Sequence, residues 1–171
     1  LAKLATQLPE PADIIERVGK YSDEQVGRFD NEQQRDLYWQ LNYMLGRYKY
    51  RNRQYEESIR LFQMVDRRSD YYVKAQFFTG ISYVQLRKSV PAVKAFQRII
   101  DALDEGVTGV EDEDRMRDLA NLSIARTYYS ASIKLDAETN APTVDERHLS
   151  AAVKYWNSVP VSYTHLTLPT T

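Results

Sequence analysis

The sequence predicts an all-α fold, an α-solenoid of antiparallel helix pairs with irregular insertions. Three observations carry that expectation. The 171-residue chain matches itself when it is shifted by 34 positions. Each unit defined in this way holds two apolar patterns of helical spacing, separated by a short polar break. Small residues recur at the two places where such a helix pair would approach most closely.

The register is gap-free over two units. Tyr38 falls on Tyr72, Tyr43 on Phe77, Gly46 on Gly80, Ser58 on Ala92, Phe62 on Phe96 and Val65 on Ile99. Repeats of this length stack, each burying a face that it could not bury alone.

Taken in chain order, residues 1–11 read as a linker and 12–30 as one or two packing helices, with Ser22 as a helix cap. The repeat array covers 31–159, in units of about 39–72, 73–106 and 118–159. Asp30 with Gln33 reads as a capping box. In the first unit Leu37, Leu41, Leu45 and Tyr48 line one face, 52–54 forms the turn, and Ile59, Phe62 and Val65 line the facing helix. The second unit turns at 87–89, and Pro91 sits where a first-turn proline is tolerated.

Gly46 and Ser58 lie 12 residues apart across one turn, and Gly80 and Ala92 across the next. Small side chains there let the two helices close, with Phe62 or Phe96 filling the space beside them. In the third unit the matching positions are Ala125, Ala152 and Trp156, but Ala125 and Ala152 are 27 apart. About 15 residues are therefore inserted at that turn, and Thr143 with Glu146 reads as the capping box that restarts the helix. A second insertion falls at 104–114, where Gly106 and Gly109 break helix.

From 161 to 170 the chain has neither charge nor helical periodicity. Its back-translation resembles a transposon-end sequencing adapter read through as protein, so 160–171 reads as a non-native or disordered tail.

Composition narrows function. With 23 basic and 24 acidic residues the net charge is −1, which argues against a dedicated nucleic-acid binder. There is no run of the roughly 18 apolar residues that a membrane span needs. The absence of cysteine removes thiolate metal sites, and two histidines leave little for acid–base chemistry. His148 reads as a solvated surface residue, and the acidic stretch from Asp101 to Asp114 as an exposed loop whose last acids favour the next helix N-terminus. The seven basic residues between Arg47 and Arg68 read as a solvated face or a surface for an anionic protein. No enzyme activity, metal or cofactor is expected.

The helix–turn–helix unit with Leu45, Gly46, Tyr55, Ser58 and Phe62, then Gly80, Tyr83, Ala92 and Phe96, resembles the tetratricopeptide repeat (TPR) family. Asn42 and Gln76 stand where that family has tryptophan, Arg53 and Arg87 where a turn glycine is common, and Asp70 where it closes with proline. The resemblance implies a right-handed superhelix whose first helices face a concave groove. Carried over residue by residue, the groove positions are Gln40, Tyr43, Arg47 and Tyr50, then Lys74, Phe77, Ile81 and Val84, then Leu119, Leu122, Arg126 and Tyr129. Of these, Tyr43, Arg47, Tyr50, Lys74, Phe77, Arg126 and Tyr129 are the expected peptide-binding residues. Tyr43 and Arg47 do not match the lysine and asparagine with which chaperone-binding relatives clamp a carboxylate.

The resemblance thus implies a noncatalytic scaffold that binds a peptide or protein segment. The alternative is a structural or docking arm of a larger enzyme or cell-envelope complex. Irregular tyrosine-rich arrays of this family look most like bacterial envelope proteins, periplasmic or outer-membrane associated. The oligomeric state is left open.

Overall fold

The computed structural model describes residues 12–136 and 139–160. The linker and tail expected at 1–11 and 161–171 lie outside the described residues. Helices dominate: α1 (Ala12–Val18), α2 (Asp23–Gly27), α3 (Arg35–Arg51), α4 (Tyr55–Gln63), α5 (Tyr72–Gln85), α6 (Ser89–Asp104), α7 (Glu113–Ser132) and α8 (Glu146–Asn157). From α3 onward each helix packs against the next, while α1 and α2 pack on α3.

Chain punctuation explains the boundaries. Ser22 caps α2 in a reciprocal capping box with Gln25. The start of α3 differs from expectation: Asn31, not Asp30, caps a 3₁₀ turn (Glu32–Gln34) that leads into the helix. Asn31 has the extended backbone a cap requires, and its side chain accepts from the Gln34 N–H.

The ends of α3 and α5 are the same structure 34 residues apart. The Arg53 and Gln54 N–H groups donate to Tyr50 and Lys49, and the Arg87 and Lys88 N–H groups donate to Val84 and Tyr83, all at 2.9 Å. This double bond pattern needs a left-handed residue after the helix. Arg53 (φ 60°) and Arg87 (φ 56°) fill that role, at the two places where glycine would cost least. Helix α6 ends in the same way on Gly106, φ 75°.

Two cores result. Around α3 and α4 lie Trp39, Tyr43, Leu45 and Phe62; around α5, α6 and α7 lie Val73, Phe96, Ile99 and Ile124. Phe62 and Phe96 rest directly on Gly46 and Gly80, as the small–aromatic pattern predicts. Ala92, Ala125 and Ala152 are also buried. Ser58 does more than stay small: its hydroxyl lies 3.0 Å from that of Ser82, joining α4 to α5 inside the protein. That bond satisfies polar groups which burial would otherwise penalise.

The third unit departs in two ways. Trp156 is 40 % exposed and not part of the core. In the third unit Ala125 stands at the position that Gly46 and Gly80 hold in the first two. Tyr155 packs instead of Trp156, stacking on Tyr128 and donating its hydroxyl to Gln97. The inserted turn contains a β-hairpin, β1 (Ile133–Leu135) antiparallel to β2 (Pro142–Val144), so the chain is mostly helical and not wholly so. Thr143 belongs to β2, and Asp145 caps α8 by accepting from the N–H groups of Arg147 and His148.

The loop after α6 folds back over the α4–α5 connection. Gly109 (φ 79°) lies against the Asp70 backbone, and the Thr108 hydroxyl donates to the Asp70 carboxylate at 2.9 Å. Its acids pair with arginines from outside the stretch, Asp104 with Arg117 and Glu105 with Arg67. Asp112 caps α7, and Glu113 and Asp114 occupy its first turn, where the helix dipole favours them.

Candidate functional site

The expected groove residues divide into two groups. Those of the first unit close on one another. Tyr43 is buried, with its ring 5.1 Å from Tyr71 and 6.1 Å from Phe62. The Arg47 guanidinium lies 3.9 Å from the centre of the Phe78 ring and donates to the Tyr43 hydroxyl at 2.9 Å. Tyr50 meets Phe78 edge-on at 5.5 Å, and burial, with Tyr55 beside it, pushes its phenol pKa up. Tyr43 is therefore a core residue and not a groove anchor; Phe78 and Tyr71 arrive from the next helix and its approach and cover it. Gln40 donates to the Tyr71 hydroxyl, and Lys74 sits exposed over the Tyr71 ring.

The second and third units leave an open cleft of ≈ 730 Å³. One wall is Phe77, Ile81 and Val84 on α5; the other is Leu119 and Arg126 on α7, and Arg87 joins from the turn. The other α7 residues of the lining are small: Ser123, Thr127, Ser130 and Ala131. Ser123 and Thr127 donate back to Leu119 and Ser123 carbonyls, both at 2.7 Å, so these hydroxyls serve their own helix. Space and an apolar surface result. Of the seven expected binding residues, Phe77 and Arg126 line this cleft; Tyr129 is exposed outside its lining, and Leu122 is buried.

Arg87 escaped sequence reasoning. It registers there only as a missing turn glycine, and the left-handed turn carries it to the cleft. A second, polar hollow of ≈ 490 Å³ is lined by Asp36, Asp70 and Arg68, among others; Arg68 is paired with Asp66 at 2.9 Å. The basic run from Arg47 to Arg68 is partly neutralised in this way, Lys49 also pairing with Glu57.

His148 is half-buried, not fully solvated. Its Nδ1 lies 2.9 Å from Asp145 Oδ2, which also takes Lys134 Nζ at 3.2 Å. The bonds from His148, then Lys134, hold the Asp145 carboxyl well below the usual carboxylate range. This cluster ties the hairpin to the start of α8. Among the described residues no group of three or more His, Cys, Asp or Glu side chains is placed to hold a metal ion, and no helix is long and apolar enough to cross a membrane.

No protein-family model matches the chain, and neither does a curated protein or a solved structure. The functional reading rests on the cleft and on the 34-residue geometry around it.

Proposed function

We propose that the chain is a noncatalytic interaction scaffold, a TPR-like array that receives a peptide or protein segment between α5 and α7. The observation that carries this reading is the pairing of apolar walls, Phe77, Ile81 and Val84 opposite Leu119, with arginines at 87 and 126. Apolar area with a few oriented polar groups is the usual make-up of a binding site. Arginine and aromatic side chains are the usual anchors where protein meets protein. Support for the TPR-like register comes from turns and glycine–phenylalanine contacts that repeat 34 residues apart.

The mechanism is capture by a preformed surface. The walls belong to helices packed into the core, so most of the ordering cost falls on the incoming segment. An extended or helical segment that laid apolar side chains on Ile81 and Leu119 would exclude water from both.

The test is a quantitative pull-down from extract of the source organism with wild-type chain and Leu119→Asp. Leu119 is exposed, so circular dichroism should be unchanged. The reading expects specific partners to be lost with the variant; partners retained in full would contradict it.

A docking-arm role within a larger assembly is favoured by a different observation. The outer face of α8 leaves Val153 and Trp156 exposed, and one face of the hairpin exposes Ile133, Leu135 and Val144. Loss of assembly with Trp156→Glu while Leu119→Asp assembles normally would favour that reading.

A further inference from the structure

We infer that the α5–α7 cleft takes an aromatic side chain of a partner protein segment, seated as the preceding junction seats the chain's own Phe78. This rests on the binding reading above and names the anchor that the partner must carry. Between α3 and α5 the Phe78 ring is a plug. It lies 5.9 Å from the Phe62 ring, 6.4 Å from Tyr43 and 5.5 Å from Tyr50, with the Arg47 guanidinium stacked on it. One repeat of 34 later, Phe96, Phe77, Val84 and Ile81 hold the places of Phe62, Tyr43, Tyr50 and Arg47, and all four line the cleft. The ring pair beneath the plug is kept as well, Phe77 to Phe96 at 5.8 Å against Tyr43 to Phe62 at 6.1 Å.

The plug itself is not repeated. Gly80 aligns with Ala125, 45 positions on, and the same shift sets Ser123 on Phe78. Ser123 lines the cleft, and its hydroxyl donates to the Leu119 carbonyl of its own helix. The same elements thus build a seat for a ring, and α7 brings no ring to it. An aromatic side chain buries a large area and gains further from edge-on or offset contact with other rings, which Phe77 and Phe96 offer. A short aliphatic side chain would touch fewer of the atoms around it and forfeit those dispersion contacts. A free aromatic compound would fit the seat but leave Leu119, 37 % exposed on the α7 wall, in water. A segment with an aromatic residue beside aliphatic neighbours covers both, and buried aromatic anchors are where interface energy concentrates.

The experiment is selection of a random dodecapeptide phage library on four forms of the chain: wild type, Ser123→Ala, Ser123→Phe and Leu119→Asp. Ser123→Phe supplies the ring from α7 itself, as Phe78 is supplied from α5. Circular dichroism checks that each form folds, and Ser123→Leu, a smaller fill, replaces the phenylalanine variant if that one unfolds. Wild type and Ser123→Ala are expected to enrich the same peptides, with a severalfold excess of Phe, Tyr and Trp over the library. Ser123→Phe should lose the aromatic excess, and Leu119→Asp should enrich none of these peptides. Peptides that require Leu119 but show no aromatic excess, or keep it on Ser123→Phe, overturn the inference and leave the binding reading standing. Loss of the peptides on Ser123→Ala would assign recognition to the hydroxyl and overturn the inference in the same way. Peptides indifferent to Leu119, or no enrichment on wild type, overturn both. Self-association in sedimentation that Ser123→Phe abolishes would make the occupant a second copy of the chain, and would overturn the inference as well.

Discussion

The Phe96 ring lies so close to Gly80 that a methyl group on that glycine would come within 2.6 Å of Phe96 Cζ. Phe62 and Gly46 repeat the contact 34 residues earlier, with Cε1 at 2.6 Å from the same imagined carbon. Each aromatic ring is nearly sealed from solvent, and neither helix pair could close over a larger residue.

Gly80→Ala should therefore destabilise, although alanine is the better helix former by about 1 kcal/mol. Overpacking a closed core costs about 1–3 kcal/mol, so the net loss should be about 1 kcal/mol and at most about 2 kcal/mol. Gly27→Ala is the control: nothing lies within 4 Å of the added carbon, and a gain of up to about 0.5 kcal/mol is expected. Urea denaturation of the two variants measures both; equal effects would mean that the glycine–phenylalanine contact is not what closes the pair.

The left-handed turn at Arg53 gives a change of opposite sign. A non-glycine residue there costs about 1–2 kcal/mol, and glycine returns part of that as greater freedom in the unfolded chain. Arg53→Gly should raise stability by about 0.5–1 kcal/mol, read as a higher midpoint in thermal unfolding. Arg87→Gly should do the same while weakening partner capture, because Arg87 alone of the two lines the cleft.

Arg47 joins two helices through one side chain, stacked on Phe78 and bonded to Tyr43. Arg47→Ala removes a cation–ring contact worth about 0.5–2 kcal/mol and a charged donor to a buried hydroxyl. A loss of about 1–3 kcal/mol is expected in chemical denaturation. A variant that unfolds like the wild type but loses partners would instead return Arg47 to the groove.

Acid should loosen α8 through Asp145. Its carboxyl is held below its ordinary value of 3.8, so folding is favoured by the ionised form. That contribution is fully present above the ordinary value and fades as pH falls below it toward the folded one. Asp145→Asn should lower the melting temperature at neutral pH and flatten its decline below about pH 4. A variant whose acid profile overlays that of the wild type would show that the cluster with Lys134 and His148 adds nothing.

Helical content, the turns at 52–54 and 87–89 and the glycine–phenylalanine pairs were legible in the sequence, because each follows from local spacing or a residue with one conformational use. The cleft was half legible. Register places Phe77 and Arg126 on facing helices, but it does not show which side chains from the next helix arrive on top, and Phe78 and Tyr71 bury Tyr43. Trp156 fails because Tyr155, one position earlier, takes up the packing against Tyr128 and Gln97. The hairpin escapes because three-residue strands such as Ile133–Leu135 give too little alternation to separate from a loop. Asp145 takes the cap once β2 draws Thr143 into its pairing with Lys134.

A photo-crosslinking residue in the α5–α7 cleft shows whether partners bind there. Benzoylphenylalanine is placed at Leu119, or at Tyr21, which is 51 % exposed away from the cleft lining. Each form is irradiated in extract of the source organism. Binding in the cleft gives discrete adducts from position 119 that are absent from position 21 and that disappear when Ile81→Asp is added. The same adducts from both positions, or adducts at 21 alone, would contradict it.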